Sequence, residues 1–301
     1  MELSGARVLA FGTSGDQGSG LVEALRAHGA VPVVATSRAG RVAQLRADGE
    51  EAVQADLTAP DAVAAAAGEA GAVAAVLHVP LAVSTRGGAG SVVASVGALT
   101  AAGLPVAVNL GTVLPPPGAP DPFGAAALAE GLLGTGAAVL GVTAYLENHA
   151  TPWALGPLSR GELVYPRPAG DPIAWMTARD VTAAAVAALA RDVRGRALQL
   201  SGPTVLSFDQ LAAEVGAGLG REVVYRRITP DEFADLLRPV LGPEAAAGVA
   251  GGYAAMPEEP NPLMAVDSSA AWAELGVTPT LAREWAAQVL SSRLQQAAAP
   301  S

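Results

Sequence analysis

A short apolar strand that leads into a glycine-rich loop and then into an amphipathic helix constrains this chain more than any other feature. Residues 7–18 read Arg-Val-Leu-Ala-Phe-Gly-Thr-Ser-Gly-Asp-Gln-Gly, and a helical pattern follows over residues 19–28. Glycines at such a junction permit a tight turn, let the backbone approach a phosphate and let the helix pack close to the strand. Free N–H groups at the helix start also favour an anion. This order predicts a site for a dinucleotide pyrophosphate; a tight turn without a ligand is the alternative.

Short apolar segments alternate with amphipathic ones through the first half of the chain. Val-rich segments that are almost wholly apolar are typical of strands buried on both faces of a parallel sheet. Because they alternate with helical stretches at the spacing of βαβ units, the sequence predicts an α/β fold with a doubly wound parallel Rossmann sheet. The predicted strands are residues 8–11, 31–36, 52–55, 73–79, 106–110 and 138–142, and the predicted helices are residues 19–28, 41–48, 61–68, 90–102 and 124–133.

Prolines interrupt this rhythm after residue 143 and predict loops and short edge pieces; they are Pro152, Pro157, Pro166, Pro168 and Pro172. Further helices are predicted over residues 179–191, 208–219 and 281–294 and from Pro230, with strands over 197–201 and 223–227. Ser207 is the expected N-cap of the second of these helices. The predicted domains are a dinucleotide-binding Rossmann domain (1–150) and a smaller C-terminal α/β substrate-cap region (151–301) packed on it, with some segments returning to the sheet. The ligand is expected in a cleft at the carboxyl ends of the strands.

Composition argues against several classes of protein and site. No apolar run approaches the ~18 residues that a membrane span needs, and the first residues enter the first strand directly, so a cytoplasmic protein without a signal peptide is expected. The formal net charge of −10 opposes binding to a nucleic-acid backbone. The chain has no cysteine and its three histidines lie far apart, so no disulfide and no metal site is expected. The expected partner is a small-molecule substrate, and the expected state is a monomer or homodimer.

The end of the second predicted strand distinguishes between dinucleotides. An NAD site usually has Asp or Glu about 20 residues beyond the glycines, bonded to the ribose 2′-hydroxyl. Here the strand ends Ala35-Thr36-Ser37-Arg38, and no carboxylate follows before Asp48. Ser37 and Arg38 suit a 2′-phosphate, because a guanidinium provides a bidentate, charge-assisted clamp. The sequence therefore favours NADP(H) over NAD(H).

A set of short motifs occurs in order over about residues 5–230: Gly12-Thr-Ser-Gly15-Asp-Gln17-Gly18, Thr36-Ser-Arg38, Gln54-Ala-Asp56-Leu57, Tyr145-Leu-Glu-Asn148, Tyr165-Pro166 and Ala178-Arg-Asp180-Val181. This ordered set resembles the NmrA-like branch of the atypical short-chain dehydrogenase/reductases. The resemblance implies a Rossmann fold and an NADPH-dependent oxidoreductase that reduces a small apolar or conjugated carbonyl, quinone or imine.

The resemblance also implies a role for each matching position. The loop would bind the pyrophosphate through Gly12, Thr13, Ser14, Gly15, Asp16, Gln17 and Gly18. Arg38 would bind the 2′-phosphate, and Asp56 and Leu57 would lie beside the adenine. His78, Val79 and Pro80 would line the ribose side of the cofactor. Leu110, Gly111 and Thr112 would face the nicotinamide, and residues 145–148 would form a wall between nicotinamide and substrate.

The proton donor is where the chain departs from this family. Short-chain reductases commonly use a Tyr-x-x-x-Lys pair, in which the ammonium lowers the pKa of the tyrosine. All 18 basic residues here are arginine, so the pair is absent. The remaining catalytic candidates are Tyr145, His78 and Thr112, and the candidates for substrate contact are Tyr145, Asn148, His149 and Trp153. The alternatives are a structural hydrogen bond for His78, a loop position for His149 and core packing for Trp153.

Three functions follow as hypotheses. The first is the reductase, acting on an acceptor that takes hydride while water supplies the proton. The second is a non-catalytic regulatory protein that senses NADP(H) and changes protein partners. The third is a tailoring enzyme that uses the Rossmann pocket without net redox change. The proline-rich residues 115–122 are predicted to form a stiff loop over the cleft, or a lid.

Overall fold

Seven parallel strands form the central sheet of this protein, seen in a computed structural model that describes residues 1–79, 88–116, 121 and 124–298. The strands of the described residues are β1 (Arg7–Phe11), β2 (Val31–Thr36), β3 (Glu51–Gln54), β4 (Ala74–His78), β5 (Val106–Asn109), β6 (Ala138–Val142), β7 (Ala144–Tyr145), β8 (Glu162–Tyr165), β9 (Ile173–Met176), β10 (Ala197–Leu200), β11 (Val205–Leu206) and β12 (Val224–Arg227). The sheet has the order β10-β6-β5-β4-β1-β2-β3, and every neighbouring pair is parallel. The predicted doubly wound Rossmann sheet is confirmed.

The strand order reverses between β1 and β4. From β1 the chain adds β2 and β3 on one side, and it then returns to place β4 on the other side of β1. Phe11 at the end of β1 is in register with Leu77 of β4. In an open α/β sheet a ligand binds outside the carboxyl ends of the strands at this reversal. A ligand site is therefore expected at the residues that follow Phe11 and Leu77.

The strands form because their residues are apolar on both faces, and helices pack against them. β4 and β6 are buried along their whole length. The flanking helices of this part are Leu21–Ala27, Ala39–Ala47, Pro60–Ala70, Ala89–Ala101, Ala125–Gly134 and Ala178–Ala190. Each strand predicted from the sequence is found within one residue of its expected bounds.

The chain divides into two compact units, each with its own core. The first comprises Met1–Thr143, Ala178–Leu200 and Asp267–Thr278, and the second Ala144–Thr177, Ser201–Val266 and Pro279–Ser301. The second unit holds a small sheet of order β11-β9-β7 and the parallel pair β12-β8. Its helices are Leu146–Ala150 (3₁₀), Pro152–Ser159, Phe208–Leu219, Pro230–Leu241, Pro243–Ala254, Pro262–Ala265 (3₁₀), Ala282–Trp285, Ala286–Leu290 (π) and Ser291–Ala298, whereas Ser269–Leu275 belongs to the first unit.

In the second unit, one prediction from local sequence is confirmed and another is wrong. Ser207 is the N-cap of its helix, as predicted: its hydroxyl accepts from the backbone N–H of Gln210, whose side chain accepts from the N–H of Ser207. The loop predicted at Pro152 and Pro157 is wrong, because both prolines lie in a helix. Pro152 opens that helix, where the backbone nitrogen needs no acceptor. No helix in the described part of the chain is long and apolar enough to cross a membrane.

Candidate functional site

The glycine-rich loop follows β1 and packs against the end of β4. Gly12 has a φ of +78°, and a Cβ at this position would overlap the backbone oxygen of His78. A Cβ at Gly18 would overlap the carbonyl oxygen of Gly12. Both positions therefore require glycine. A Cβ at Gly15 would meet no atom within 4 Å, so the space beside its backbone is open.

The helix after this loop begins at Leu21 rather than at the predicted residue 19. Gly20 precedes it with a φ of +89°, a left-handed conformation that is not helical. The Ser19 hydroxyl donates to the carbonyl oxygen of Asp16 at 2.6 Å, which closes the loop locally. The Asp16 side chain is exposed. The loop therefore consists of consecutive turns, and its backbone stays close to the end of β1.

A pocket opens at the carboxyl ends of β1, β2 and β3. Its lining is Phe11, Gly12, Thr13, Ser14, Val34, Ala35, Thr36, Ser37, Arg38, Arg41, Leu45, Ala55, Asp56 and Leu57. The fold thus brings together seven of the predicted cofactor residues: Gly12, Thr13, Ser14, Ser37, Arg38, Asp56 and Leu57. Gly15, Asp16, Gln17 and Gly18 belong to the adjoining loop, whereas Val79 and Gly111 lie beyond β4 and β5. Pro80 lies outside the described residues.

Two arginines, Arg38 and Arg41, line this pocket. Arg38 precedes the helix Ala39–Ala47, and Arg41 lies in its first turn. Many exposed arginines of this chain pair with carboxylates, as Arg46 does with Glu69 at 3.5 Å. Within the described residues neither Arg38 nor Arg41 is in an ion pair. The pocket therefore carries two positive charges that suit an anion.

Asp56 and Leu57 give the opposite side of the pocket a different character. Asp56 Oδ1 accepts hydrogen bonds from the backbone N–H of Thr58 at 2.8 Å and from its hydroxyl at 2.7 Å. These bonds lower the pKa of Asp56, which is therefore ionised at neutral pH. The half-buried Leu57 is held by its carbonyl oxygen, which accepts from Ser95 Oγ at 2.8 Å. A carboxylate acceptor next to an apolar side chain suits a flat base that carries an amino group.

His78 lies where β4 ends, next to the reversal of strand order. Its Nδ1 is 2.8 Å from Asn109 Nδ2, and Asn109 Oδ1 accepts from the backbone N–H of Gly111 at 2.9 Å. His78 and Asn109 are 7% and 2% exposed. Burial lowers the pKa of His78 to about 4, so the ring is neutral at pH 7.

Val79, predicted to line the ribose side, and Gly111 and Thr112, predicted to face the nicotinamide, also follow strands at this edge of the sheet. Val79 is buried, and its N–H donates to the carbonyl oxygen of Asn109 at 3.0 Å. Gly111 has a φ of +70°, and Thr112 after it is half-buried and accepts through its carbonyl oxygen from Val142 N–H at 2.8 Å. The catalytic and nicotinamide roles given to these residues stay predictions.

The residues predicted to contact substrate all belong to the second unit: Tyr145, Asn148, His149 and Trp153. Tyr145 and His149 are 2% and 1% exposed, and Trp153 is 9% exposed. Asn148 is hydrogen-bonded to the Tyr165 hydroxyl, which also lies 2.7 Å from the Tyr253 hydroxyl.

An aromatic cluster surrounds His149 within the second unit. Its ring centroid lies 4.9 Å from that of Trp175 and 5.5 Å from that of Tyr165. His149 Nε2 and Trp175 Nε1 are buried without a hydrogen-bond partner among the described residues. The ring of Trp153 packs edge-on against Phe233 at 5.1 Å. These contacts are those of a hydrophobic core, and the substrate roles of His149 and Trp153 stay predictions.

We expect the protein to lose stability as the pH falls below neutral, because His78 and His149 are buried in the neutral form. Burial holds their pKa values at about 4 and about 3, against 6.5 ordinarily. The unfolded chain binds these protons below pH 6.5 and the folded chain does not. The free energy of unfolding is therefore highest above pH 6.5 and decreases toward pH 4, by up to about 1.4 kcal/mol per pH unit for each ring.

Urea denaturation between pH 7 and pH 5 measures this slope. His149→Phe is expected to remove about half of it, whereas a substitution of the exposed His28, such as His28→Gln, leaves it unchanged. An identical slope in the wild-type protein and in His149→Phe would show that His149 is not held neutral by the fold.

Sequence reasoning missed two residues of this region. Arg41 lines the pocket from the first turn of a helix, three residues after Arg38, and that spacing was a usable signal. Asn109 is a buried amide at the end of a strand that is otherwise apolar. A buried polar residue in such a position indicates a hydrogen-bond partner, but the sequence alone does not identify that partner. No cluster of three or more His, Asp or Glu side chains that could hold a metal ion occurs among the described residues.

Comparison with known proteins identifies the fold. No protein-family model and no curated protein sequence matches the chain. Among solved structures, the NADPH-dependent quinone oxidoreductase QOR2 from Escherichia coli, complexed with NADPH, is 22% identical over 94% of this chain and 99% of its own, with a TM-score of 0.71. The triphenylmethane reductase from Citrobacter sp., complexed with NADP(H), is 18% identical over 97% and 99%, with a TM-score of 0.74.

A protein of a different kind has the same fold. NmrA, a negative transcriptional regulator, is 16% identical over 99% of both chains, with a TM-score of 0.70. The resemblance to NmrA-like proteins that the sequence predicts is thus confirmed at the level of fold, and this chain has the Rossmann fold that NmrA shares with these two reductases.

Proposed function

We propose that this chain binds NADP(H) at the carboxyl edge of its central sheet and is an NADPH-dependent oxidoreductase of the NmrA-like type. The observation that carries the proposal is the pocket in which the glycine-rich loop, the pair Arg38 and Arg41, and Asp56 come together. These three groups match the pyrophosphate, the 2′-phosphate and the adenine of one ligand. Similar folds that hold NADPH or NADP(H), in QOR2 and triphenylmethane reductase, support the choice.

The residues present fit this ligand part by part. The loop of residues 12–18 would hold the pyrophosphate through its backbone N–H groups, except that of Gly18, which donates to the Gly15 carbonyl oxygen, and the absence of a side chain at Gly15 leaves room for it. Ser37, Arg38 and Arg41 bind the 2′-phosphate, and this makes NADP(H) the preferred dinucleotide. The adenine would pack on Leu57, and its amino group would donate a hydrogen bond to the carboxylate of Asp56.

The proposed reaction is hydride transfer without a Tyr-x-x-x-Lys pair, because the chain has no lysine. When bound, NADPH supplies a hydride, which carries two electrons to the acceptor. The chain has no lysine to lower a tyrosine pKa, so a strong protein acid of the usual kind is absent. The substrate is therefore a small apolar or conjugated quinone, carbonyl or imine that accepts hydride and takes its proton from water. Thr112, which follows β5, is the proposed hydrogen-bond donor to the acceptor oxygen.

A regulatory protein that senses NADP(H) is the second candidate. Two observations favour it: the similar fold of NmrA, a negative transcriptional regulator, and the absence of lysine from this chain. Such a protein needs the dinucleotide pocket but no proton donor. Its cofactor would change its assembly with protein partners rather than be consumed.

Consumption of NADPH, followed at 340 nm with a panel of quinones and enones, separates the two. The reductase proposal predicts substrate-dependent oxidation that is lost in the Arg38→Ala/Arg41→Ala variant at a fixed, limiting NADPH concentration. No turnover with any acceptor, together with equal affinity for NADP⁺ and NADPH and a cofactor-dependent change in assembly, would overturn the reductase proposal in favour of the regulator.

A further inference from the structure

The amide of Asn109 has only one chemically sensible orientation. The backbone N–H of Gly111 is a donor and lies 2.9 Å from one end of this amide, so that end is the oxygen Oδ1. The other end is the NH₂ group, which can only donate. It lies 2.8 Å from Nδ1 of His78. Asn109 therefore donates to the ring of His78.

This bond determines where the ring of His78 carries its proton. Because Nδ1 accepts from Asn109, it has no proton, and the single proton of the neutral ring is on Nε2. Burial alone lowers the pKa of His78 to about 4, so protonation of Nδ1 does not compete near neutral pH. Asn109, which contacts the ring from β5, carries no charge, and Gly12 and Gly111 beside His78 have no side chain. Asp16, the carboxylate of the loop, is exposed to solvent.

His78 lies at the reversal of strand order, with Gly12 next to its backbone and Gly111 next to its ring. The backbone oxygen of His78 is in the place that a Cβ of Gly12 would occupy. On the other side, a Cβ at Gly111 would be 3.3 Å from His78 Cε1, the ring carbon bonded to Nε2. The pyrophosphate-binding loop follows Phe11 of β1, and Gly111 follows β5. His78 is thus between the predicted pyrophosphate loop and the predicted nicotinamide end of the sheet.

We propose that His78 is a fixed, neutral Nε2–H donor to an uncharged oxygen of the nicotinamide half of the bound dinucleotide, a ribose hydroxyl, and that Asn109 is the positioning residue that sets its tautomer. This inference rests on the proposed NADP(H) site. A neutral donor suits a hydroxyl oxygen, since the charge of the phosphates is matched by the loop N–H groups and the arginines. His78 then holds the cofactor and does not carry a proton to the substrate.

Nitrogen-15 NMR of the ligand-free protein tests the tautomer. The chain has three histidines, and His78→Gln identifies the signals of His78 by their loss. We expect protonated Nε2 and unprotonated Nδ1, unchanged from pH 8 to pH 5.5. In Asn109→Asp the carboxylate can still accept from Gly111 N–H but can no longer donate to Nδ1. The ring should then gain a proton on Nδ1 and titrate near neutral pH. A wild-type ring that is protonated on Nδ1, or that titrates near pH 6.5, would overturn the inference.

NADPH titrations test the donor role. Glutamine keeps an N–H close to the position of Nε2, and phenylalanine keeps the ring shape without a donor. We expect His78→Gln to bind NADPH within about threefold of wild type and His78→Phe to bind it about tenfold more weakly. Thermal melts establish that each variant is folded. Equal affinity of the two folded variants would overturn the role of His78 and leave the proposed function standing. Failure of the wild-type protein to bind NADPH would overturn both, whereas the tautomer of the ligand-free protein would still be known.

Discussion

Replacing Arg38 and Arg41 together with alanine is expected to weaken NADPH binding by at least about 100-fold, because each guanidinium contributes a charge-assisted hydrogen bond of about 1.5–3 kcal/mol to the 2′-phosphate. NADH has a hydroxyl at that position, so its affinity should change by less than about threefold. Both arginines line the pocket and neither is in an ion pair among the described residues, so their removal leaves no carboxylate unpaired. Isothermal titration calorimetry with both dinucleotides measures the difference.

Arg46→Ala is the matched control for this variant. Arg46 lies on the same helix, Ala39–Ala47, but its guanidinium bonds the Ala52 carbonyl oxygen and Glu69 outside the pocket lining. Its replacement should leave the ratio of NADPH to NADH affinity unchanged. If the double variant lost NADH and NADPH affinity equally, the arginines would not bind the 2′-phosphate. The assignment of Arg38 and Arg41 to that phosphate would then be wrong.

Two glycines of the same loop should separate folding from binding. A Cβ at Gly18 would overlap the carbonyl oxygen of Gly12, so Gly18→Ala is expected to lower the free energy of unfolding by about 1–3 kcal/mol and to distort the loop. A Cβ at Gly15 would meet nothing within 4 Å, so Gly15→Ala should stay within about 0.5 kcal/mol of wild type. The same methyl group would nevertheless enter the space assigned to the pyrophosphate. Gly15→Ala should therefore bind NADPH at least about tenfold more weakly, as one lost backbone hydrogen bond and a steric contact require.

Urea denaturation and calorimetric titration on both variants make the comparison. A Gly15→Ala protein that is as stable as wild type and binds NADPH equally well would place the pyrophosphate somewhere else. Gly68→Ala is the control for an added methyl group away from the loop, since a Cβ at Gly68 also meets nothing within 4 Å and Gly68 lies in the helix Pro60–Ala70.

The sheet could be predicted closely because its determinants are local. Val-rich strands such as Val31–Thr36 and Ala138–Val142 are apolar on both faces, and this pattern identifies buried parallel strands without any knowledge of their partners. The glycine-rich loop is readable for the same reason, since the backbone conformations it needs are local to the chain. Ser207 and Gln210, three residues apart, likewise form the predicted cap within one helical turn.

The parts that could not be predicted depend on contacts between distant segments. The roles of Asn109 and His78 follow from the pairing of β5 with β4, which brings together two side chains that are 31 residues apart in the sequence. The helix at Pro152–Ser159 packs Trp153 against Tyr165 and Phe233, and those contacts override the two prolines that suggested a loop. The proton donor could not be assigned from the sequence, because the Tyr-x-x-x-Lys pair that identifies it in short-chain reductases cannot occur in a chain without lysine.

The affinity of the wild-type protein for NADPH relative to NADH, measured by calorimetric titration at one ionic strength, tests the proposed dinucleotide site most directly. We predict one site per chain and NADPH bound at least about tenfold more tightly than NADH, since Arg38 and Arg41 line the pocket and neither is in an ion pair among the described residues. Equal affinity for the two would contradict the assignment of Arg38 and Arg41, and no heat of binding with either would contradict the dinucleotide site itself.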